Sequence, residues 1–212
     1  MTSPTTCIRR ATAEDAAALR ELYVAYFDEH RQWYAFSPPR ERYAHIFGGY
    51  WADRTQHYFV ATVDGAIAGF MRCALKSNAS PTGYVLRGAH GGRRERINDA
   101  KRTARATLQA AARGISGGRG RSTERVAGVV NDFFVAHDFR GQGLASRLLD
   151  AGFVWWRTHS AEFVALEVMA QNENAIGFYE RYGFHTERRV MMMPLNDAPE
   201  SVTSRDTPLR DT

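Results

Sequence analysis

The chain has 212 residues, 44 % of them hydrophobic and 24 % charged, the proportions of an ordinary globular domain. No apolar run approaches the roughly 20 residues of a membrane helix, no apolar leader core follows Met1, and two cysteines, Cys7 and Cys73, exclude a disulfide framework or a four-thiolate zinc site. The formal charge of +5 is uneven, with twelve basic and three acidic residues between Lys76 and Arg125 and a net negative remainder, which argues against a wholly basic nucleic-acid-binding domain.

Cys7 to Ala11 reads as a short strand. Thr12 then stands as an N-cap with Asp15 in the first turn, and Ala16 to Phe27 carries apolar residues at helical spacing (Ala16, Leu19, Leu22 or Tyr23, Tyr26). Pro38-Pro39 breaks the chain before a second helix over Arg40 to Phe47. His57–Ala61 and Ala66–Met71 flank Asp64-Gly65, a strong hairpin signal. Lys76 to Ser122 is a basic insertion bounded by glycines, with an Ala/Arg-rich helix expected over Arg94 to Arg113. Its apolar positions are few and small, so it reads as a solvated segment, with an acidic-partner or nucleic-acid arm as the alternative. Beyond it, Val126 to Ala136 reads as a strand, Gly143 to Thr158 as a helix, Phe163 to Met169 as a strand, Asn174 to Tyr182 as a helix and Arg188 to Leu195 as a last strand. Residues 196–212 read as a disordered tail.

The chemistry concentrates between Val129 and Ala145. There a strand runs through Asp132, Phe134 and Val135 into Arg140-Gly141-Gln142-Gly143-Leu144-Ala145-Ser146, which opens a helix. Glycines let the backbone approach a ligand, and the free amides at a helix start form an anion nest, so a pyrophosphate is the natural guest. A dinucleotide fingerprint needs a third glycine where Ser146 stands and an acid at the end of the next strand, whereas Glu162 precedes Phe163. The seven histidines (His30, His45, His57, His90, His137, His159 and His185) show no metal-ligand spacing.

Arg140-x-x-Gly143-x-Ala145 resembles the phosphate-binding loop of the GNAT superfamily, the acyl-CoA-dependent N-acetyltransferases. Leu166-Glu167-Val168, Asn172 and the run Ala175-Ile176-Gly177-Phe178-Tyr179-Glu180-Arg181-Tyr182-Gly183-Phe184 are similar to the second signature of that family, in the same order. The resemblance implies an α/β (α+β) fold, with a mixed, mostly antiparallel sheet flanked by helices and splayed between strands 4 and 5. It implies one N-acetyltransferase domain over residues 6–195 that contains the insertion, and acetyl-CoA as co-substrate. Residues 140–146 would hold the pyrophosphate, the backbone of Phe134 and Val135 and the Asn172 side chain the pantetheine arm, and Tyr179 would protonate the departing thiolate.

The reaction so implied is attack of a neutral primary amine, on a small molecule or a peptide, on the thioester. A lysine-like amine has a pKa near 10.4, so holding it neutral at pH 7 costs roughly 4.6 kcal/mol, which a base or a desolvating pocket must offset. Asp132 and Glu167 are the candidate bases, Asp132 alternatively serving only at a bulge. Asp132-Phe133-Phe134-Val135 locally resembles the polyamine acetyltransferases, but Asn131 stands where an acid commonly precedes the Asp. Asp28 and Glu29 are candidates to attract a cationic amine, and the twelve aromatics between Tyr23 and Phe59 to wall the acceptor site. The alternatives are an acyl-CoA-binding regulatory module without catalysis and a nucleic-acid-associated protein that uses the insertion. A reducing cytoplasm is the expected location, no membrane partner is expected, and a homodimer is left open.

Overall fold

The computed structural model describes residues 4–34, 37–77 and 125–191. It divides into two units, Met1–Met169 and Ala170–Thr212. The expected helix over Arg94 to Arg113, most of the basic insertion and the tail lie outside the described residues. The insertion also begins later than the charge pattern indicated, because Lys76 belongs to a strand.

In the first unit, β1 (Thr6–Arg10), β2 (Gln56–Val63), β3 (Ala66–Ser77), β4 (Val126–Val135) and β5 (Phe163–Leu166) form one sheet in chain order. The first four strands pair antiparallel, and β5 joins β4 in parallel. The β2–β3 turn is Asp64-Gly65 as expected, both residues left-handed with φ of 48° and 85°. Between β1 and β2 lie α1 (Ala16–His30) and α2 (Tyr43–Ala52), and α3 (Leu144–Thr158) follows β4. α1 runs one turn past Phe27, and a 3₁₀ turn at Ala13–Asp15 starts it. The Asp15 carboxylate accepts from the Thr12 amide at 2.7 Å and from Arg9 Nη1 and Nη2 at 2.7 and 2.8 Å. The Arg9 guanidinium therefore holds the Asp15 carboxyl down at about 2.

Strand alternation assigns the two faces of the sheet. Tyr58, Val60, Phe70 and Phe134 point to α1 and α2, where they pack with Leu19, Tyr23, Tyr26 and Phe47. Met71 and Gly128 point to α3, where a Cβ on Gly128 would stand 2.6 Å from the Trp156 ring. A bulge makes this possible. Arg72 pairs with Asp132 and Cys73 with Val130, so Asn131 is the extra residue that reverses the alternation of β4. Upstream of it Gly128 lies under α3, and downstream Asp132 and Phe134 lie under α1.

Trp156 is 1 % exposed, and its indole N–H donates to the Ala74 carbonyl at 3.2 Å. Trp156→Ala would leave a cavity that neither Gly128 nor Gly152 can fill. We expect a stability loss of about 3–5 kcal/mol, read as a lower urea midpoint at unchanged slope.

The second unit holds α4 (Glu173–Arg181). Two expected strands differ from the structure. β5 stops at Leu166 rather than Met169, so Glu167 lies just past it, and of the strand expected over Arg188 to Leu195, residues 188–191 form no strand while 192–195 lie outside the described residues. Met191, within that expected strand, is 92 % exposed.

Candidate functional site

At the end of β4 a single 3₁₀ turn (His137–Phe139) leads to Arg140, and α3 begins at Leu144. Gly141 and Gly143 between them have φ of 75° and 74°. A Cβ on either would meet no atom within 4 Å. The requirement for glycine is thus conformational, and the space above the loop is open. The first helical bond runs from the Arg147 amide to the Gly143 carbonyl at 3.1 Å, so the loop amides lie ahead of the ladder at the positive end of a 15-residue helix. Gln142 Nε2 donates to the Asp138 carbonyl at 3.4 Å across the turn. Leu144 is buried and anchors the helix start, with Ala145 and Ser146 completing the first turn. A left-handed glycine loop, open above and opening a long helix, fits a pyrophosphate.

Arg140 has further partners. Its Nε donates to the Val135 carbonyl at 2.9 Å, and its Nη2 pairs with Glu29 at 2.6 Å. Arg140 therefore braces the last turn of α1 against the end of β4. Glu29 and Asp28, expected to attract a cationic amine, are both ion-paired: Glu29 with Arg140, and Asp28 with Arg40 at 2.9 Å.

Asp132 is buried, as is Arg72 opposite it. Its Oδ2 accepts from Arg72 Nε at 2.5 Å and from the Tyr23 hydroxyl at 2.8 Å, and its Oδ1 from the Tyr26 hydroxyl at 3.2 Å. Arg72 Nη1 and Asn131 Nδ2 both donate to Gln56 Oε1, at 3.2 and 2.8 Å. The guanidinium also lies over the Tyr50 ring at 3.9 Å. Burial, reinforced by the Asp132 charge, pushes the Tyr23 and Tyr26 phenols well above their ordinary value and Tyr50 up to about 12. These phenols stay protonated, and those of Tyr23 and Tyr26 donate to Asp132. Both carboxylate oxygens of Asp132 are thereby engaged, which makes it the anchor of a buried network.

Glu167 is exposed past the end of β5. Desolvation raises its carboxyl, and the Lys76 charge eases it back. Tyr34, four residues past the end of α1, is raised by burial and then by the charges of Asp132 and Glu167. β4 pairs with β5 only from Ala127 to Val130 and then runs on to Val135. The outer half of β4, with Phe134 and Val135, therefore extends beyond its parallel neighbour, the geometry that the splay required.

In the second unit Asn172 caps α4, its Oδ1 accepting from the Ala175 amide at 3.1 Å. Tyr179 is 8 % exposed, its ring in edge contact with Phe178 and Phe184 at centroid distances of 5.3 and 5.6 Å. Burial raises its phenol above the ordinary value, so it carries its proton at neutral pH.

Sequence reasoning did not find Arg72 or the phenols of Tyr23 and Tyr26. The tyrosines were read as core positions of a helix, which they are, and nothing local shows that their hydroxyls meet a carboxylate more than 100 residues away. The available signal for Arg72 was an arginine between Met71 and Cys73 in an otherwise apolar strand. Among the described residues no group of three or more His, Cys, Asp or Glu could hold a metal ion, and no helix is long and apolar enough to cross a membrane.

Residues 105–184 match the acetyltransferase (GNAT) family. The chain is 36 % identical over 62 residues to N-alpha-acetyltransferase 30 of Schizosaccharomyces pombe, a match covering 29 % of this chain and 41 % of that protein. The chain thus spans about two fifths of the length of that relative. Its fold is similar to that of an aminoglycoside N-acetyltransferase solved in complex with CoA, with a TM-score of 0.56 and 16 % identity over 91 % of this chain and 96 % of that one. It is similar also to a ribosomal-protein-alanine N-acetyltransferase from Brucella melitensis biovar Abortus 2308, with a TM-score of 0.54 and 18 % identity over 90 % of this chain and 99 % of that one. The glycine loop, the partly paired fourth strand and the matched segment agree, and residues 105–184 of the chain are similar to the acetyltransferase (GNAT) family.

Proposed function

We propose that the chain transfers an acetyl group from acetyl-CoA to a primary amine of a small molecule or a peptide. The observation that carries this reading is the loop of Gly141 and Gly143 at the start of α3, directly after a fourth strand that outruns its parallel neighbour. The amides of residues 141–146 would hold the pyrophosphate. In the first unit the backbone of Phe134 and Val135 would hold the pantetheine arm. The thioester supplies the activated acyl group, and the chain contributes binding, orientation and proton transfer.

The N-alpha-acetyltransferase relative favours a peptide amine within this class. An α-amino group, with a pKa of about 7.7–8.0, costs only about 1 kcal/mol to hold neutral at pH 7, against roughly 4.6 for a lysine-like amine. A site without a strong base suits the weaker amine, and in this chain both oxygens of Asp132 are already committed.

Thermal unfolding with acetyl-CoA, beside NADH and spermidine, tests the co-substrate. Thiol release with an alanine-starting peptide, an N-blocked lysine peptide and an aminoglycoside tests the acceptor. A stability gain with acetyl-CoA and release with any of these amines supports the reading. A gain with no release points to a binding module, and no gain removes the loop assignment.

Tyr179 is the proposed acid for the departing thiolate, since a phenol that keeps its proton can donate to a thiolate whose conjugate acid lies near 8.5. Tyr179→Phe should lower turnover about a hundredfold with unchanged affinity for acetyl-CoA. Wild-type turnover across the pH range would assign the acid elsewhere.

A further inference from the structure

We propose that His30 is the general base that takes the proton from the acceptor amine, through its Nε2. The inference rests on the acetyltransferase reading, and it starts from hydrogen bonding. His30 Nδ1 lies 2.8 Å from the Tyr26 carbonyl. A carbonyl only accepts, so Nδ1 carries the hydrogen, and in the neutral ring the lone pair is on Nε2. The ring packs against two aromatics, 4.1 Å from the Tyr26 ring centroid and tilted to it, and 5.1 Å from that of Trp33 and perpendicular to it. It is thus oriented by its surroundings while remaining partly exposed.

Its position follows from the same contacts. Tyr26, which carries the imidazole, packs edge-on against Phe134 at 6.0 Å and donates to Asp132. Glu29, the preceding residue, is tied to Arg140, which holds the Val135 carbonyl. His30 therefore borders the outer half of β4, residues 132–135, where the thioester arm is proposed to lie. Asp132, one sequence-based candidate for the base, has both oxygens occupied, whereas Nε2 has a lone pair to offer.

The charges facing the ring are Glu29 on its own helix, Asp132 on β4 and Arg140 after β4. Desolvation lowers its pKa most. The Tyr26 carbonyl, Glu29 and Asp132 raise it, Arg140 lowers it further, and the net direction is down. His30 is accordingly neutral at pH 7 and ready to accept a proton, and it becomes charged and inactive as the pH falls through its lowered value.

The protons balance. The ammonium R–NH₃⁺ gives one proton to Nε2, which passes it to solvent. The amine nitrogen then bonds to the acyl carbon as the C–S bond breaks. A second proton is lost as the amide forms and the thiolate takes up one, so the products are the amide, the thiol and one released proton.

The test uses the full chain, acetyl-CoA and the alanine-starting peptide. His30→Ala and His30→Gln should lower kcat/KM by about 100-fold or more and abolish the acid limb of its pH profile, with the acetyl-CoA-induced stability gain intact. His159→Gln, on the exposed end of α3, should behave as wild type. Added imidazole should partly restore His30→Ala, which a merely structural role would not allow. Nitrogen NMR of the wild type should show the neutral His30 ring protonated at Nδ1. Protonation at Nε2, or an acid limb retained in either variant with kcat/KM within threefold of wild type, overturns the assignment and returns the role to Glu167. Wild-type protein that binds acetyl-CoA but releases no thiol with any amine removes the reaction and the role together. Wild-type protein that does not bind acetyl-CoA fails at the earlier, separate step. Should His30→Ala fold poorly, His30→Gln and the wild-type NMR measurement still decide.

Discussion

Asp132→Asn should unfold at a much lower urea concentration than wild type, with a loss of about 3–5 kcal/mol. The carboxylate is buried and accepts from Arg72 Nε and two tyrosine hydroxyls. An amide there turns an NH₂ group towards one of these donors and leaves the guanidinium, itself 4 % exposed, without its counter-charge. Among the described residues Arg72 Nη2 already has no hydrogen-bond partner, so the site has no spare acceptor to absorb the loss. For a domain of ordinary stability, about 5–15 kcal/mol, this is a large fraction of the total. Arg72→Met in the Asp132→Asn background should recover part of it, because the stranded charge is then gone, and the double-mutant cycle should give a coupling of about 0.5–3 kcal/mol. Equilibrium urea unfolding of the four proteins checks this. A different result would separate structure from catalysis: if Asp132→Asn kept wild-type stability and lost only turnover, Asp132 would be a base in the reaction and not the anchor described above.

Gly143→Trp should abolish the stability gain with acetyl-CoA, a gain of about 2.7 kcal/mol for wild type at a hundredfold excess over Kd. Gly143 is left-handed with φ of 74°, and a Cβ there would point into open space, not into a neighbour. An indole can therefore be attached without disturbing the core, and it would occupy the volume above the loop where the pyrophosphate is proposed to sit. Backbone strain complicates the variant, since a left-handed non-glycine residue costs about 1–2 kcal/mol. Gly143→Ala carries the same strain without the bulk and serves as the control. The alanine variant should lose stability yet retain most of its response to acetyl-CoA, and the tryptophan variant should lose the response. Calorimetric titration of both gives the affinities directly, and unchanged affinity in Gly143→Trp would falsify the loop as the binding site.

Features governed by neighbouring residues were legible in the sequence. Asp64-Gly65 specified its hairpin because two left-handed residues in succession match the twist of paired strands. Leu19, Tyr23 and Tyr26 marked the buried face of α1 because helical spacing alone puts them on one side. The loop from Arg140 to Gly143 and the start of α3 were placed to within a residue because the φ demanded there admits glycine and little else. Tertiary structure decided the rest. A bulge at Asn131 is invisible in a strand-forming sequence, yet it turns Asp132 from the α3 face to the α1 face. Burial there selects partners from α1 and β3, far away in the chain, and those partners convert a candidate base into an anchor. His30 had no sequence signal for the same reason: its proton is fixed by a carbonyl one helical turn away, and its surroundings by Glu29, Asp132 and Arg140. Local backbone preference sets turns, caps and helix faces. The chemistry of a side chain depends on what burial brings against it, and only the folded chain makes that choice.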